Sequence, residues 1–343
     1  MGVTIYGLLF VADSGRHSSN PQGSPNLKGT AGGAAEIYLA NAITLSRSLA
    51  ALGHHLTVIT NDGPRLRAID RDKFHGPNID IQEIGFDLQV PRGIAYYSAH
   101  HKFDVFRWFV TGEAGQYPVL IDLDCVALAK PSAQFAACAE AGVPQVYDIS
   151  DHIVRLFGLQ RIWSDISRLT QLPRPTAHWY GGEFIAGPVS FYATLCDWVD
   201  RLWPRYVALY ETFHHQGDEM VLSAALASIQ AQGLVLHDVG PIGDFARFGS
   251  WLPLHPQKPF WWFEGCSFLH LPNDKLFLAS QAEAQSSFRA EVFLQAYRRY
   301  LFMRRAKGAA WVLAKVALRR RKRFSARQEA KRIAESQISA HLI

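Results

Sequence analysis

The sequence has few cysteines and lacks the patterns of disulfide-rich, zinc-binding or membrane-spanning proteins. Its four cysteines, in 343 residues, form no Cys-x-x-Cys pair, which argues against a zinc site and a disulfide framework. No apolar run is long enough to span a bilayer. The apolar stretch 1–12 has neither a basic start nor a small-residue cleavage site, so we expect a first strand rather than a signal peptide. These absences favour a folded, cytoplasmic protein.

Positive charge is scarce outside one segment. Between Arg298 and Arg332 the chain has 14 Lys or Arg residues and one acid, Glu329, whereas the remainder has 21 basic and 29 acidic residues. An acidic body without a recognition motif argues against a nucleic-acid partner. A cationic helix that carries Trp311 is typical of contact with an anionic membrane surface. We therefore expect the arm to hold the protein on the inner face of a membrane, with a solvated tail as the alternative.

The first part of the chain alternates apolar strands with a helical pattern. Residues 3–11 and 56–60 are strand-like, and between them Ala34 to Leu52 has helical periodicity and stops at Gly53. This order predicts an α/β fold with one Rossmann-type mixed sheet flanked by helices. No internal repeat is visible.

The rest of the chain is assigned more coarsely. A helix is predicted from Ala95 to about Thr111, and a strand over 118–123. From Gln281 to the end the pattern is helical and basic. The sequence therefore predicts a catalytic domain over 1–280, with a nucleotide-binding half of about 1–130 and an acceptor half of about 131–280. A helical basic extension follows over 281–343.

An acidic pair at the end of an apolar strand is the main candidate for chemistry. In YPVLIDLDCVALAKP, Asp122 and Asp124 follow the buried-looking run Val119–Ile121. Buried carboxylates are costly without a partner. Residues two apart on a strand share a face, and carboxylate pairs suit Mg²⁺ or Mn²⁺. The alternatives are a strand end with solvated acids, or one Asp that caps the next helix.

Two later segments carry further candidates. In WYGGEFIAGPVSFY, Gly181 and Gly182 would let the backbone approach a ligand, and Trp179 and Tyr180 offer flat faces for a sugar. The alternative interpretation is a turn followed by a core strand. In HHQGDEMVLSAAL, residues 214–226, two acids begin a helical pattern, for which helix capping is the alternative.

The last candidate segment is CSFLHLPNDK. His270 follows a short apolar run and precedes Lys275. A single His is more often structural, and a single Lys more often lies on a solvated surface.

In this order, the motifs resemble the GT-A sugar-nucleotide glycosyltransferases. The likeness is greatest to the retaining group that includes glycogenin and bacterial lipopolysaccharide galactosyl- and glucosyltransferases. It covers roughly residues 1–280. Its parts are Asp122-Leu123-Asp124, Ile185-Ala186-Gly187, Gln216-Gly217-Asp218-Glu219, and His270 with Lys275. The family has Asn where this chain has Ile185, and a rival for the late His is His255.

The resemblance implies transfer of a sugar from a nucleotide diphosphate donor, such as a UDP-sugar, to a hydroxyl acceptor on a glycan or lipid-linked glycan. It implies a Mn²⁺ or Mg²⁺ ion held by Asp122, Asp124 and His270. Asp218 or Glu219 would bind the sugars and stabilise positive charge at the anomeric carbon. The stereochemical outcome stays open, with retention expected from the resemblance. Donor contacts are expected from Asp122, Asn61, Lys102 (or Arg107), Lys275, Gly181 and Gly182.

Other functions remain as alternatives. Residues 32–60 also resemble the first helix and second strand of GT-B glycosyltransferases. Those enzymes use no bound metal but need a second nucleotide-binding domain. A non-catalytic glycan- or membrane-binding module on a transferase fold is another alternative. A nucleotidyltransferase is the third, although the loop after Val11 matches its Gly-rich pattern only faintly.

Overall fold

The computed structural model of the chain describes residues 3–11, 33–76, 78–173, 175, 178–249, 257–283, 287–306 and 315. The chain divides into two compact units, Met1–Ala290 and Glu291–Ile343. The sequence placed its domain boundary at 280, and the catalytic role of the first part stays a prediction. In the second unit residues 291–306 are helical. Most of the basic arm lies outside the described residues, so its membrane contact also stays a prediction.

The described residues of the first unit form two sheets. The strands are β1 (Val3–Leu9), β2 (Leu56–Thr60), β3 (Asp80–Glu83), β4 (Tyr117–Ile121), β5 (Cys125–Ala127), β6 (Gln145–Asp148), β7 (Tyr180–Ala186), β8 (His237–Asp238), β9 (Phe245–Arg247) and β10 (Phe268–His270). Seven make a sheet with the order β3-β2-β1-β4-β7-β6-β8, and three make a small sheet with the order β5-β10-β9. In the large sheet, β7 runs antiparallel to both neighbours, and the other pairs are parallel.

Helices flank the large sheet. They are α1 (Ala34–Ala50), α2 (Gly63–Phe74), α3 (Lys102–Val110), α4 (Ala133–Glu140), α5 (Ser150–Phe157), α6 (Leu159–Thr170), α7 (Val189–Leu209), α8 (Asp218–Ala231), α9 (Phe260–Phe263) and α10 (Lys275–Ala279). Helix α7 packs against α3 and α8, whereas α1 packs against α10 and β5. The predicted α/β fold with a mixed sheet between helices is therefore confirmed. Among the described residues, no helix is both long and apolar enough to cross a membrane.

Local sequence explains the first βαβ unit. Strands β2 and β4 are almost wholly buried, as expected for parallel strands covered on both faces. Helix α1 has Glu36 in its first turn and Arg47 in its last, which suits the helix dipole. Gly53 then adopts a φ of +83°, which lets the chain leave the helix. The predicted strands and helix are confirmed here.

Two sequence boundaries differ from the structure. The helix predicted from Ala95 begins with a 3₁₀ turn at Tyr97–His101, and α3 starts only at Lys102. The sequence predicted that Asp122 and Asp124 share one face of a strand. Strand β4 ends at Ile121, however, so neither residue lies on that strand. The pair lies in the turn between β4 and β5 instead. The described part of the chain contains a single large sheet, and the second nucleotide-binding domain of the GT-B alternative is not found there.

Candidate active site

The acidic turn is fixed between two other strands. The main-chain N–H of Asp122 donates to the carbonyl of Glu183 on β7 at 3.0 Å. The N–H of Leu271, just after β10, donates to the carbonyl of Asp124 at 2.9 Å. The turn therefore lies at the carboxyl end of β4, the edge at which α/β sheets bind ligands.

Asp124 is buried between two basic side chains. Lys275, the first residue of α10, donates a hydrogen bond to Oδ2, and Nε2 of His270 lies 3.1 Å from Oδ1. Burial alone would raise the pKa of Asp124, but Lys275 and His270 hold this pKa well below its usual value. The carboxylate is therefore ionised and ready to bind a cation.

Asp122 is partnered by Lys102 from the start of α3. The ammonium nitrogen lies 2.8 Å from Oδ1 of Asp122 and 3.4 Å from Oδ2 of Asp218, and it donates to the carbonyl of Gly182 at 2.7 Å. Burial raises the pKa of Asp122, with Lys102 opposing and Asp124 reinforcing the shift. The Asp122 side chain is 30% exposed, more than any of its partners here. It therefore has the most room to contact a ligand.

Glu183 and Arg247 complete the site, and the sequence analysis missed both. Glu183 is buried on β7, with Oε1 3.2 Å from Nε of Arg247 and 3.5 Å from Nδ1 of His270. Against its burial, these two partners lower the pKa of Glu183 to about 2. The pKa of His270 is raised to about 9 by Asp124 and Glu183, again against burial. The sequence signal for Glu183 was an acid next to an apolar run, Phe184–Ala186. An acid next to an apolar run was also the signal that identified Asp122.

The donor set fits a divalent cation that would take the place of the proton His270 carries in the metal-free protein. One oxygen each from Asp122 and Asp124 and one ring nitrogen of His270 lie within 4.8 Å of one another. Two carboxylates and an imidazole suit Mn²⁺ and similar ions. The carboxylate of Glu183 on the far side of the His270 ring matches the outer-shell partner that orients metal-bound histidines.

Asp218 and Glu219 are the first two residues of helix α8. Asp218 pairs with Lys102, the same lysine that pairs with Asp122. Oε2 of Glu219 accepts a hydrogen bond from Nε1 of Trp179 at 3.0 Å, and Oε1 lies 3.8 Å from Nη2 of Arg247. Oδ2 of Asp218 is buried and has the 3.4 Å ion pair with Lys102 but no hydrogen bond. The first turn of a helix favours both charges. Both acids line the site cavity, and the Glu219 side chain is slightly more exposed, 12% against 8% for Asp218.

These side chains surround one cavity of about 270 Å³. A smaller cavity of about 120 Å³ shares several of its walls and extends to Phe10. A third, of about 850 Å³, begins at Phe10 and runs past the ends of β2 and β3. The shared lining residues of the first two are Tyr38, Ser98, Ala99, Lys102, Asp122, Asp124 and Lys275.

The glycine pair is explained by close packing of the protein's own carboxylates. A Cβ on Gly181 would lie 2.2 Å from Oε2 of Glu183, and one on Gly182 would lie 2.3 Å from Oδ2 of Asp218. Gly182 lines the 270 Å³ cavity. Its role towards a donor stays a prediction, as does that of Gly181.

Other predicted residues lie farther from the cation ligands. Asn61 lines the 850 Å³ cavity, and both ends of its side-chain amide are hydrogen bonded to the main chain of Val11. Arg107 pairs with Asp104 and Asp200 and does not line the site cavity. His255 lies outside the described residues.

The aromatic surface differs from the predicted one. Trp179 and Tyr180 are buried, so neither offers a free face to a sugar. Tyr96 lines the site cavity instead, is 43% exposed, and stacks on His215 with ring centroids 5.3 Å apart. Its φ of +57° is in the left-handed region, which is uncommon for a bulky residue and frequent at functional sites.

Comparisons with known proteins find similar structures at low identity. No family model matches the sequence, and no curated protein matches it. The chain is similar to the bifunctional glycosyltransferase WbbM (9% identity, TM-score 0.48), over 87% of this chain and 51% of WbbM, about half of that protein's length.

Two structures of the galactosyltransferase LgtC are also similar. For the complex with donor and acceptor sugar analogues, the identity is 10% and the TM-score 0.47, over 85% of this chain and 94% of LgtC. For an active-site mutant of LgtC, the identity is 11% and the TM-score 0.46, over 86% of this chain and 95% of LgtC. TM-scores below 0.5 at this identity do not establish a function for this chain.

Proposed function

We propose that this chain is a metal-dependent glycosyltransferase of the GT-A type that moves a sugar from a nucleotide diphosphate donor, such as a UDP-sugar, to a hydroxyl acceptor. One observation carries the proposal. Asp122, Asp124 and His270 come together beside two lysines at the carboxyl end of β4, and Asp218 and Glu219 face them across the same cavity. This arrangement provides a cation site, positive charge for phosphates and acids for a sugar.

The diphosphate would bind beside the acidic turn. Asp122, Asp124 and His270 would hold Mn²⁺ or Mg²⁺, which when bound supplies electrophilic charge stabilisation of the departing diphosphate. Lys102 and Lys275 are buried cations at the same cavity, with pKa values raised by the carboxylates, against burial. Their permanent charge favours a polyanionic ligand and a leaving group that gains negative charge.

The nucleoside would occupy the 850 Å³ cavity. Phe10 links this cavity to the acidic turn, and aromatic and polar groups line it. The ring of His101 stacks on Phe10 at 4.5 Å and on Phe86 at 5.2 Å. Flat rings beside Arg92 suit a base and ribose. In this arrangement Asn61 shapes the wall by tying the end of β2 to Val11.

The sugars would lie towards α8. Asp218 would accept hydrogen bonds from sugar hydroxyls and stabilise positive charge at the anomeric carbon. Glu219 is held by Trp179 and Arg247 and would shape the acceptor side. Under a retaining mechanism the protein needs no general base, and under an inverting one Asp218 or Glu219 is the candidate, since both line the cavity. A glycan or lipid-linked glycan acceptor, at the inner face of a membrane, is suggested by the basic arm from Arg298 to Arg332.

The decisive experiment measures UDP release from a panel of UDP-sugars with Mn²⁺ and with EDTA. Asp122→Asn is the preferred variant, because the Asp122 side chain is partly exposed and its loss leaves Asp124 paired. Asp200→Asn, at an exposed aspartate that pairs with Arg107, is the matched control.

Release that needs Mn²⁺, persists in the control and is lost in Asp122→Asn would support the proposal and identify the donor. Release without metal would favour a metal-independent transferase. Donor binding without turnover would favour a non-catalytic module. Release of pyrophosphate from a nucleotide and a sugar phosphate would indicate a nucleotidyltransferase.

A further inference from the structure

Helices α5 and α6 meet at a corner that presents large apolar side chains to solvent. Leu156, Phe157, Leu159 and Trp163 are each 39% to 46% exposed, although they lie within eight residues of one another. Scattered exposed apolar residues are ordinary, but a cluster marks a contact surface. We name residues 155–163 the α5–α6 corner.

The α5–α6 corner is a built part of the first unit. Gly158 between the helices has a φ of +83°, which lets the chain turn sharply there. The inner faces carry Ile153, Ile162 and Ile166, all buried. Asp165, also buried, accepts hydrogen bonds from the main-chain N–H of His214 at 2.9 Å and from its ring at 2.7 Å. The apolar residues are therefore held outwards by a packed scaffold.

The residues around the corner carry a small excess of positive charge. Residues 150–173 contain three arginines, Arg155, Arg161 and Arg168, and two acids, Asp151 and Asp165. The buried Asp165 forms ion pairs with Arg161 at 3.0 Å and with Arg168 at 3.3 Å, whereas Arg155 and Asp151 on α5 are both exposed. The indole N–H of Trp163 donates to the carbonyl of Pro175 at 2.8 Å, which leaves the apolar part of its ring for the outer surface. Leu, Phe and Trp flanked by arginines are typical of helices that lie in an anionic membrane interface.

The corner is connected to the acid side of the candidate site. The ring of Phe157 lies 4.8 Å from that of His214, which lies 4.8 Å from that of Trp179. Trp179 in turn holds Glu219 through the 3.0 Å hydrogen bond. Two ring contacts and one hydrogen bond therefore separate the apolar surface from a carboxylate of the cavity.

We propose that the α5–α6 corner inserts into the surface of an anionic lipid bilayer. The docking follows from the corner alone and is separate from any contact by the basic arm. Its consequence for catalysis, that the acceptor side of the cavity faces a lipid-linked substrate, rests on the proposed function. Loss of the exposed apolar side chains removes the insertion and leaves the charge of the arm unchanged.

The test places an environment-sensitive fluorophore on the full chain at Leu159→Cys, with Val235→Cys as the matched control. Val235 is 73% exposed and lies between α8 and β8, outside residues 155–163. Unsubstituted protein serves as the labelling blank, because three of the native cysteines are buried and Cys138 is partly exposed. Vesicles of phosphatidylcholine, with and without phosphatidylglycerol, are added, and nitroxide lipids report depth.

The expected result is a blue shift and nitroxide quenching at position 159, with phosphatidylglycerol present, and no change at position 235. Vesicle binding that leaves both labels unchanged would mean tethering by another segment and would overturn the proposal. A shift at position 159 that needs no vesicles and grows with protein concentration would assign the corner to self-association, which also overturns it.

A second variant separates docking from turnover. Leu156→Ser combined with Leu159→Ser is expected to weaken vesicle binding about tenfold, since it removes the inserted apolar area. UDP release with a soluble acceptor should be unchanged, because neither residue lines the cavity. Unchanged vesicle affinity would contradict the docking, whatever the outcome of the UDP-sugar experiment.

Discussion

Oε1 of Glu183 lies 3.5 Å from Nδ1 of His270, while the other ring nitrogen of His270 faces Asp124 at 3.1 Å. The imidazole is therefore held between a carboxylate on β7 and one in the turn between β4 and β5. Arg247 balances the charge of Glu183. This chain of contacts sets the orientation of the one nitrogen ligand in the candidate cation site.

Substituting Glu183 tests that orientation. Glu183→Gln should lower Mn²⁺ affinity and turnover by about tenfold to a hundredfold, the usual effect of losing an outer-shell partner of a metal ligand. Metal affinity is measured by titration calorimetry and turnover by UDP release. Glu140→Gln, at an exposed acid on α4, is the control. Unchanged Mn²⁺ affinity in Glu183→Gln would show that Glu183 has only a structural role.

Removing the Lys102 charge should destabilise the metal-free protein. Lys102→Met leaves Asp122 and Asp218 without their shared cation, and breaking a buried ion pair costs about 3–5 kcal/mol of unfolding free energy. Mn²⁺ should restore part of that loss, because it supplies positive charge to Asp122. Denaturant unfolding with and without Mn²⁺ measures both effects, with the exposed Lys73→Met as control. Equal losses in the two variants would contradict the role given to Lys102.

The stability of the metal-free protein should be greatest between about pH 4.5 and 6.5. Glu183 has a folded pKa of about 2 against an ordinary 4.5, so its contribution is present above 4.5 and is lost as the pH falls towards 2. His270 has a folded pKa of about 9 against 6.5, so its contribution is complete below 6.5 and is lost as the pH rises through 9. Thermal unfolding in EDTA, measured as a function of pH, reports the loss of stability at both the acid and the alkaline end. If the alkaline loss is unchanged in His270→Asn, groups other than His270 cause it.

Adding a methyl group at Gly182 should impair catalysis more than folding. The Cβ would meet Oδ2 of Asp218 at 2.3 Å, and that carboxylate is the end of a side chain that can rotate away. A displaced Asp218 should lower kcat/KM by about a hundredfold, with a small change in melting temperature. Gly33→Ala, where a Cβ meets no atom within 4 Å, is the matched substitution. A large loss of stability with normal kcat/KM would refute this expectation.

Asp218 and Glu219 should differ in their effect on turnover. Asp218→Asn is expected to lower kcat by about a hundredfold or more, because Asp218 has the oxygen without a hydrogen bond. Glu219→Gln should cost about tenfold or less, because Trp179 and Arg247 already engage its oxygens and a Gln side chain can keep the contact with Trp179. Steady-state kinetics on the two variants decides the order. The reverse order would make Glu219 the functional acid.

Local pattern was enough to predict several parts of the molecule. The first βαβ unit follows from apolar runs, a helical period and Gly53, all of which act over a few residues. The expectation that Asp122 and Asp124 have partners followed from the cost of burying charge next to an apolar strand, and both have basic partners in the structure. Both arguments depend on neighbouring residues alone.

The residues that pair with His270 could be identified only from the tertiary structure. Arg247 lies on β9 and Glu183 on β7, and neither has a spacing in the chain that relates it to His270. Trp179 was expected to face a sugar, but packing buries it behind Glu219, and Tyr96 lies at the cavity instead.

The sequence by itself determined the α/β class, the acidic pair after an apolar run and the uneven charge, because propensity, periodicity and composition are properties of short segments. Only the tertiary structure decided which charges neutralise one another. Lys102 meets Asp122 and Asp218, which are 20 and 116 residues away along the chain, and Lys275 meets Asp124, which is 151 residues away. Electrostatic pairing depends on distance in space and on burial, and both are set when the sheet and its helices pack together.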